Sequence, residues 1–166
     1  MENILIGQAF VFGKNVDTDQ IYPGRFVELT DVEDVAKHAM EGADPNFINE
    51  FKKNDIIVAS TNFGCGSSRE HAAVTLKAIG VGAVLAESFG RIFYRNAINL
   101  GIPLIVCPGI SKLVNQSDKL SINISSGEVI NQSRGQTIKA QPLSEYTLSI
   151  LEKGGIKPMI KSQIKK

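Results

Sequence analysis

The chain has 166 residues and 43% of them are hydrophobic, which is enough apolar material for the core of one domain spanning residues 1–166. Its 18 basic and 17 acidic residues give a formal net charge of +1, a balance that argues against a nucleic-acid-binding surface. The sequence has neither a secretory leader pattern nor an apolar run of about 18 residues, so we expect a cytoplasmic protein with no membrane partner.

The start of the chain predicts a strand followed by a helix. Residues 4–12 are rich in β-branched and aromatic side chains and lead into a Gly-Lys-Asn turn. After a polar loop, residues 31–40 carry apolar side chains at helical spacing. Thr30 or Asp31 is the expected N-cap of this helix, and Gly42 is the expected stop.

The middle of the chain alternates between strands and helices. Short apolar runs predict strands over residues 55–60, over 81–86 and from Pro103 onward. The segments between these runs predict helices over 69–79 and 89–100. Such an alternation indicates βαβ units and a parallel sheet.

The last third of the chain changes character. Residues 120–140 predict short strands with turns at Gly127 and Gly135, and residues 143–153 predict a helix. The lysine-rich tail from Lys157 to Lys166 is expected to be a frayed, solvated terminus. The whole pattern predicts an α/β domain with an additional β layer.

The predicted strand-to-helix turn at residues 62–72 has the highest density of chemically useful groups. Gly64 and Gly66 permit a sharp bend, and Ser67 with Glu70 fits a capping box that would start the helix at Ser67. The open N–H groups of that helix end and the guanidinium of Arg69 would then face an anion. On the residues alone, helix capping without any ligand is the simpler interpretation. Nucleotide binding is disfavoured because both glycine-rich phosphate patterns are missing from the sequence.

Three separated segments resemble the swivelling domain of the aconitase superfamily. They are residues 15–21 (NVDTDQI) with 23–25 (PGR), residues 66–72 (GSSREHA), and residues 87–101 (ESFGRIFYRNAINLG). Over nearly the whole chain their order resembles the family of free-standing small subunits of 3-isopropylmalate dehydratase. The resemblance implies a three-layer β/β/α domain with a mainly parallel central sheet and a small additional β layer.

This resemblance also implies half of a hydro-lyase active site. Aconitase-like enzymes dehydrate and rehydrate a hydroxy acid, here a small dicarboxylic substituted malate such as isopropylmalate in leucine biosynthesis. Ser67 matches the serine that acts as the base, and Ser68, Arg69 and Asp19 match positions that bind substrate carboxylates. A serine alkoxide is a poor species at neutral pH, so this role requires strong local stabilisation of the anion.

The resemblance further implies that a [4Fe-4S] cluster is held by a separate large subunit. Such clusters need three cysteine thiolates, and this chain has two cysteines, Cys65 and Cys107, far apart in sequence. We therefore expect no metal ligands on this chain and no turnover by it alone, and we leave homo-oligomerisation open. The alternative from another class is a non-catalytic ligand-binding or regulatory module of the same fold.

In the family, the stretch after the Pro-Gly-Arg turn reaches the variable end of the substrate. The corresponding specificity segment here is Phe26, Val27, Glu28 and Leu29. Its apolar members suit an isopropyl group, whereas Glu28 would repel a third carboxylate. A hydratase acting on 2,3-dimethylmalate or a homoaconitate-type substrate is the enzymatic alternative.

We also expect residues 19–30 to be mobile without a partner, because Gly13, Gly24 and the polar residues between them offer little packing.

Several charged residues near these motifs are expected to play structural roles. Glu70 and His71 follow the helix start, and His38 is expected to be a surface or packing residue. Arg91 and Arg95 lie four apart on one predicted helix, where a solvated face is at least as good an interpretation as an anion site.

Overall fold

The computed structural model describes residues 3–67 and 70–164, and within them seven strands form one mixed sheet. The strands in chain order are β1 (Ile4–Val11), β2 (Ile56–Ala59), β3 (Ala83–Ala86), β4 (Leu104–Val106), β5 (Lys119–Asn123), β6 (Glu128–Asn131) and β7 (Gln136–Lys139). The spatial order is β4-β3-β2-β1-β5-β6-β7. Pairings from β4 to β1 are parallel and those from β1 to β7 are antiparallel, so β1 joins the two halves of the sheet.

Short and medium helices lie between these strands, and the last two follow β7. They are α1 (Thr18–Ile21), α2 (Val32–Ala36), α3 (Phe47–Glu50), α4 (His71–Ala78), α5 (Arg91–Asn99), α6 (Ile110–Leu113), α7 (Glu145–Glu152) and α8 (Ile156–Ile164), with a 3₁₀ turn at Gly24–Phe26. Within the described ranges, no helix is long and apolar enough to cross a membrane.

The parallel strands are buried on both faces, which explains their continuous apolar sequences. In β2, Ile57 and Ala59 belong to a core shared with α4 and α5, whereas Ile56 and Val58 belong to a second core. Side chains of β5 and β6 complete that second core together with Ile110 of α6, so the antiparallel half curls over the face opposite α4 and α5. The predicted α/β fold with an additional β layer is therefore confirmed, and the additional layer continues the main sheet through β1.

Two segments differ from their sequence predictions. The helix expected over 31–40 is capped by Asp31 as predicted but ends at Ala36. The reason is Met40, which adopts a φ of 58° and donates its N–H to the carbonyl of Ile21 at 2.7 Å, so the chain turns back onto α1. The tail was expected to be frayed, but residues up to Ile164 form α8, which buries Met159.

The packing expected around residues 19–30 is also different. Ile21 and Tyr22 are 0% and 1% exposed, so the premise that this segment has little packing is wrong. α1 itself is stabilised by a capping box in which Asp17 and Gln20 bond to each other's backbone N–H.

Glu87, directly after β3, ties together the ends of three neighbouring elements. Its carboxylate accepts hydrogen bonds from Ser111 Oγ at 2.7 Å, Ser60 Oγ at 2.9 Å and the Gly109 N–H at 3.1 Å. The Ser111 hydrogen bond, followed by those from Ser60 and Gly109, lowers the pKa of the Glu87 carboxyl. The ionised carboxylate thus fixes the chain where β2, β3 and β4 end.

A Glu87→Gln variant tests this network through its pH dependence. Because the pKa of Glu87 is lowered by folding, its stabilisation is present above the ordinary glutamate pKa and is lost as the pH falls through the lowered value. Chemical denaturation of both proteins should therefore show a clear loss of stability in the variant at about pH 7 and a smaller difference at about pH 3. Glu152→Gln, at an exposed site, is the control. A difference between wild type and Glu87→Gln that does not change with pH would contradict the assignment.

Candidate functional site

The segment after β2, residues 60–67, is held between the segments that follow β1 and β3, and we call it the bend loop. On one side, Gly64 donates its N–H to Val16 O at 2.7 Å, and Cys65 O accepts from Thr18 N–H at 2.9 Å. On the other side, Phe63 donates to Ser88 O at 3.0 Å and accepts from Gly90 N–H at 2.9 Å. These bonds continue the β1-β2-β3 pairing beyond the strands, so the bend loop is fixed on both sides.

The sharp bend requires a glycine at position 64. Gly64 has a φ of +83°, which favours glycine, and a Cβ there would overlap the ring of Phe93 from α5. Gly90 is confined as well, because its Cβ would lie 2.5 Å from the carbonyl oxygen of Gly64. The aromatic ring of Phe93 is itself 3% exposed and packs edge-on against Phe63. The bend is therefore set by core packing.

At the end of the bend loop, the hydroxyl of Ser67 contacts the hydroxyl of Thr18. Their oxygens are 3.2 Å apart, and Thr18 Oγ1 also lies 3.1 Å from the carbonyl oxygen of Ser67. Ser67 is exposed, whereas Thr18 is buried at 3% exposure. A buried hydroxyl thus orients an exposed one. Sequence reasoning did not single out Thr18, although its place between Asp17 and Asp19 in the first motif was a usable signal.

The capping box predicted for Ser67 and Glu70 is wrong. α4 begins at His71, and its N-cap is Glu70, which lies in the right-handed helical region and whose side chain makes no capping hydrogen bond. The Ser67 hydroxyl lies against Thr18, four residues before the helix begins. The role of Ser67 therefore has to be argued from its contacts and exposure.

Asp19 lies close to this contact in the chain, one residue after Thr18 on α1. Its carboxylate accepts the Gly24 N–H at 2.8 Å, so it also fixes the Pro-Gly-Arg turn. The remaining two predicted substrate-binding residues, Ser68 and Arg69, lie outside the described residues. Ser67 and Asp19 are thus brought to the same end of the sheet by neighbouring segments.

The specificity segment follows that turn. Phe26 ends the 3₁₀ turn and Val27 is its C-cap. Phe26, Val27 and Leu29 are half-buried, and Glu28 is exposed. The charged residue of the segment is therefore directed into solvent while its apolar members pack.

A cleft of 330 Å³ opens beside the bend loop, between it and the start of α5. Its walls include Ser67, Cys65 and the exposed Arg91. This volume matches a small organic acid. A larger cleft of 390 Å³ lies elsewhere, between α4, α5 and α8, and Ser67 is not part of its lining. The smaller cleft is the candidate functional site, because the Ser67 hydroxyl lies in its lining.

The two cysteines have different environments. Cys65 is half-buried in the bend loop, whereas Cys107 is fully buried. Burial, with a smaller contribution from Glu87, raises the pKa of the Cys107 thiol to about 11, so it is a poor nucleophile or metal ligand. Across residues 3–67 and 70–164, no three His, Cys, Asp or Glu side chains are grouped so that they could hold a metal ion.

Comparison with known proteins identifies the relatives of this architecture. Residues 45–107 match the family described as the aconitase C-terminal domain. The 3-isopropylmalate dehydratase small subunit 1 of Methanopyrus kandleri is 49% identical over 98% of this chain and 96% of its own length. The methanogen homoaconitase small subunit of Methanothermobacter thermautotrophicus is 49% identical over 94% of this chain and 90% of its own length. The crystal structure of a 3-isopropylmalate dehydratase from Methanocaldococcus jannaschii superposes with a TM-score of 0.92 at 41% identity, covering 96% of this chain and 95% of that one.

Proposed function

This chain belongs to the family of 3-isopropylmalate dehydratase small subunits, and on that premise we propose that it supplies the serine and carboxylate-binding half of a hydro-lyase site acting on isopropylmalate. The observation that carries the proposal is the exposed Ser67 hydroxyl, oriented by the buried Thr18 hydroxyl at the mouth of a 330 Å³ cleft. A general base must lie within hydrogen-bond reach of the proton that it removes, and an exposed hydroxyl at the edge of a cleft can meet that requirement.

In this proposal, Ser67 removes the proton next to a substrate carboxylate. Thr18 carries one hydroxyl proton and faces two acceptors, the Ser67 carbonyl and Ser67 Oγ. When it donates to Oγ it stabilises an alkoxide there, which is the help that a serine base needs. Thr18 is buried and donates its backbone N–H to the Cys65 carbonyl at 2.9 Å, so this hydroxyl donor is held in place before substrate arrives.

In the same proposal, Ser68, Arg69 and Asp19 form the substrate-binding part of the site. The guanidinium of Arg69 is suited to bidentate contact with a substrate carboxylate. An ionised aspartate repels a carboxylate, so Asp19 contributes by accepting the Gly24 N–H and holding the turn beside the site. The specificity segment would then face the substituent that distinguishes one malate from another.

The dehydration also needs a partner. We propose a large subunit that carries a [4Fe-4S] cluster, which when bound would act as a Lewis acid toward the departing substrate hydroxyl. Support comes from the two cysteines, which are too few for such a cluster, and from the small-subunit names of the relatives. The chain is then one half of a heteromeric enzyme and is inactive by itself.

Replacing Ser67 by Ala should abolish turnover of isopropylmalate by the reconstituted two-subunit enzyme, because the base is removed. Loss should be at least about 100-fold, in the range expected for a general base. Binding of the two subunits, measured by gel filtration or calorimetry, should be unchanged. Ser125→Ala, at an exposed serine next to β5, is the matched control and should retain full activity. Retained turnover in Ser67→Ala would remove Ser67 from the role of base.

The homoaconitase relative makes a longer tricarboxylate the second candidate substrate. Glu28 is exposed at the place where the specificity segment would meet an extra carboxylate, and like charges repel. Steady-state assays with isopropylmalate, 2,3-dimethylmalate, citrate and homocitrate should therefore rank the two tricarboxylates last. In Glu28→Gln the difference in kcat/KM between isopropylmalate and the tricarboxylates should be smaller, because the negative charge is removed. Preferential turnover of homocitrate by the wild-type complex would overturn this reading of Glu28 and favour the second candidate.

A further inference from the structure

The first residue of the specificity segment, Phe26, is held by side chains from outside the segment. The imidazole of His38 stacks on its ring with the centroids 3.6 Å apart and the planes 12° from parallel. The guanidinium carbon of Arg25 lies 4.6 Å from the centroid of the same ring. His38 lies beyond the end of α2, so the ring is fixed by a part of the chain that follows the segment.

The two groups that contact the ring are themselves joined by one carboxylate. Glu41 Oε2 lies 3.0 Å from His38 Nδ1 and 3.6 Å from an Arg25 guanidinium nitrogen. His38 and Glu41 are about one quarter exposed, with side-chain values of 25% and 28%, whereas Arg25 is 67% exposed. Because a contact to an exposed arginine contributes little, the stack and the His38–Glu41 contact are the stronger restraints.

The backbone of Phe26 is fixed independently. Tyr22 donates its hydroxyl to the Phe26 carbonyl at 2.7 Å, and Tyr22 is 1% exposed. The Tyr22 ring also stacks against His71 of α4, with centroids 5.9 Å apart and planes 8° from parallel. Tyr22 therefore places the backbone of the segment, while His38 places the ring that projects from it.

We infer that His38 is a positioning residue for substrate specificity, which it exerts by holding the Phe26 ring at the wall that receives the variable substituent of the substrate. This inference rests on the proposed function, in which the specificity segment meets that substituent. A ring at a fixed position gives a branched apolar group a surface of defined shape, whereas a ring free to rotate does not. His38 was expected to be a surface or packing residue, and its stack on Phe26 assigns it this more specific role.

The test compares two substrates in the reconstituted two-subunit enzyme: isopropylmalate, which carries a branched substituent, and a methyl-substituted malate, which barely reaches the wall. In His38→Ala the ratio of their kcat/KM values should fall about ten-fold, through a raised KM for isopropylmalate with kcat little changed. His38→Phe keeps a ring to stack on Phe26 and should restore the ratio to within about three-fold of wild type. Lys37→Ala, at the exposed neighbouring residue, is the matched control and should leave the ratio unchanged.

The outcomes separate the two proposals. A wild-type complex that turns over neither substrate overturns the proposed function and this inference with it. An active wild type with an unchanged ratio in His38→Ala, or with equal losses on both substrates, overturns the inference alone. If His38→Ala does not fold, His38→Gln against His38→Phe makes the same comparison, since only the second retains a ring. Equal ratios in that pair would also overturn the inference.

Discussion

The site depends on one packing constraint: the backbone at Gly64 passes so close to the Phe93 ring that no side chain fits between them. Phe93 is a residue of α5 that is buried in the domain core. Gly90 must also lack a side chain, because a Cβ there would overlap the Gly64 carbonyl oxygen. The packing of α5 against the sheet therefore determines the position of the bend loop. Ser67 ends that loop, so the bend at Gly64 brings its hydroxyl to the contact with Thr18.

Parallel strands explain why the other groups gather at the same place. β1, β2 and β3 end side by side, so the segments that follow them meet, and hydrogen bonds between those segments carry the pairing past the strand ends. Ligands of open α/β sheets bind at these carboxyl ends. The Glu87 carboxylate restrains the same edge of the sheet, because it accepts hydrogen bonds from Ser60 after β2 and from Ser111 after β4. The result is a sheet edge held by hydrogen bonds between neighbouring segments, with an exposed hydroxyl and a cleft.

Periodicity and turn chemistry were enough to predict the strands, the parallel half of the sheet and the turns at Gly127 and Gly135, since each is determined by a local pattern. The early end of α2 could not be predicted, because it depends on the long-range bond from Met40 to Ile21. The pattern S-x-x-E at Ser67 was misleading for a similar reason, since the Thr18 contact determines where that serine lies. The contacts of Thr18 with Ser67 and of His38 with Phe26 join residues separated in the chain, and a single sequence does not reveal such contacts. The family resemblance named Ser67 and Asp19, and the structure brings their segments together.

The most direct test replaces Gly64 by Ala and measures isopropylmalate turnover in the reconstituted complex. Gly154→Ala is the matched control, because Gly154 has nearly the same φ, +82°, but has no heavy atom within 4 Å of its added Cβ. Turnover should fall on the order of 100-fold in Gly64→Ala, as expected for a displaced catalytic group, and stay near wild type in the control. Subunit binding should persist in both variants. Full activity of Gly64→Ala would contradict the claim that this bend places the serine.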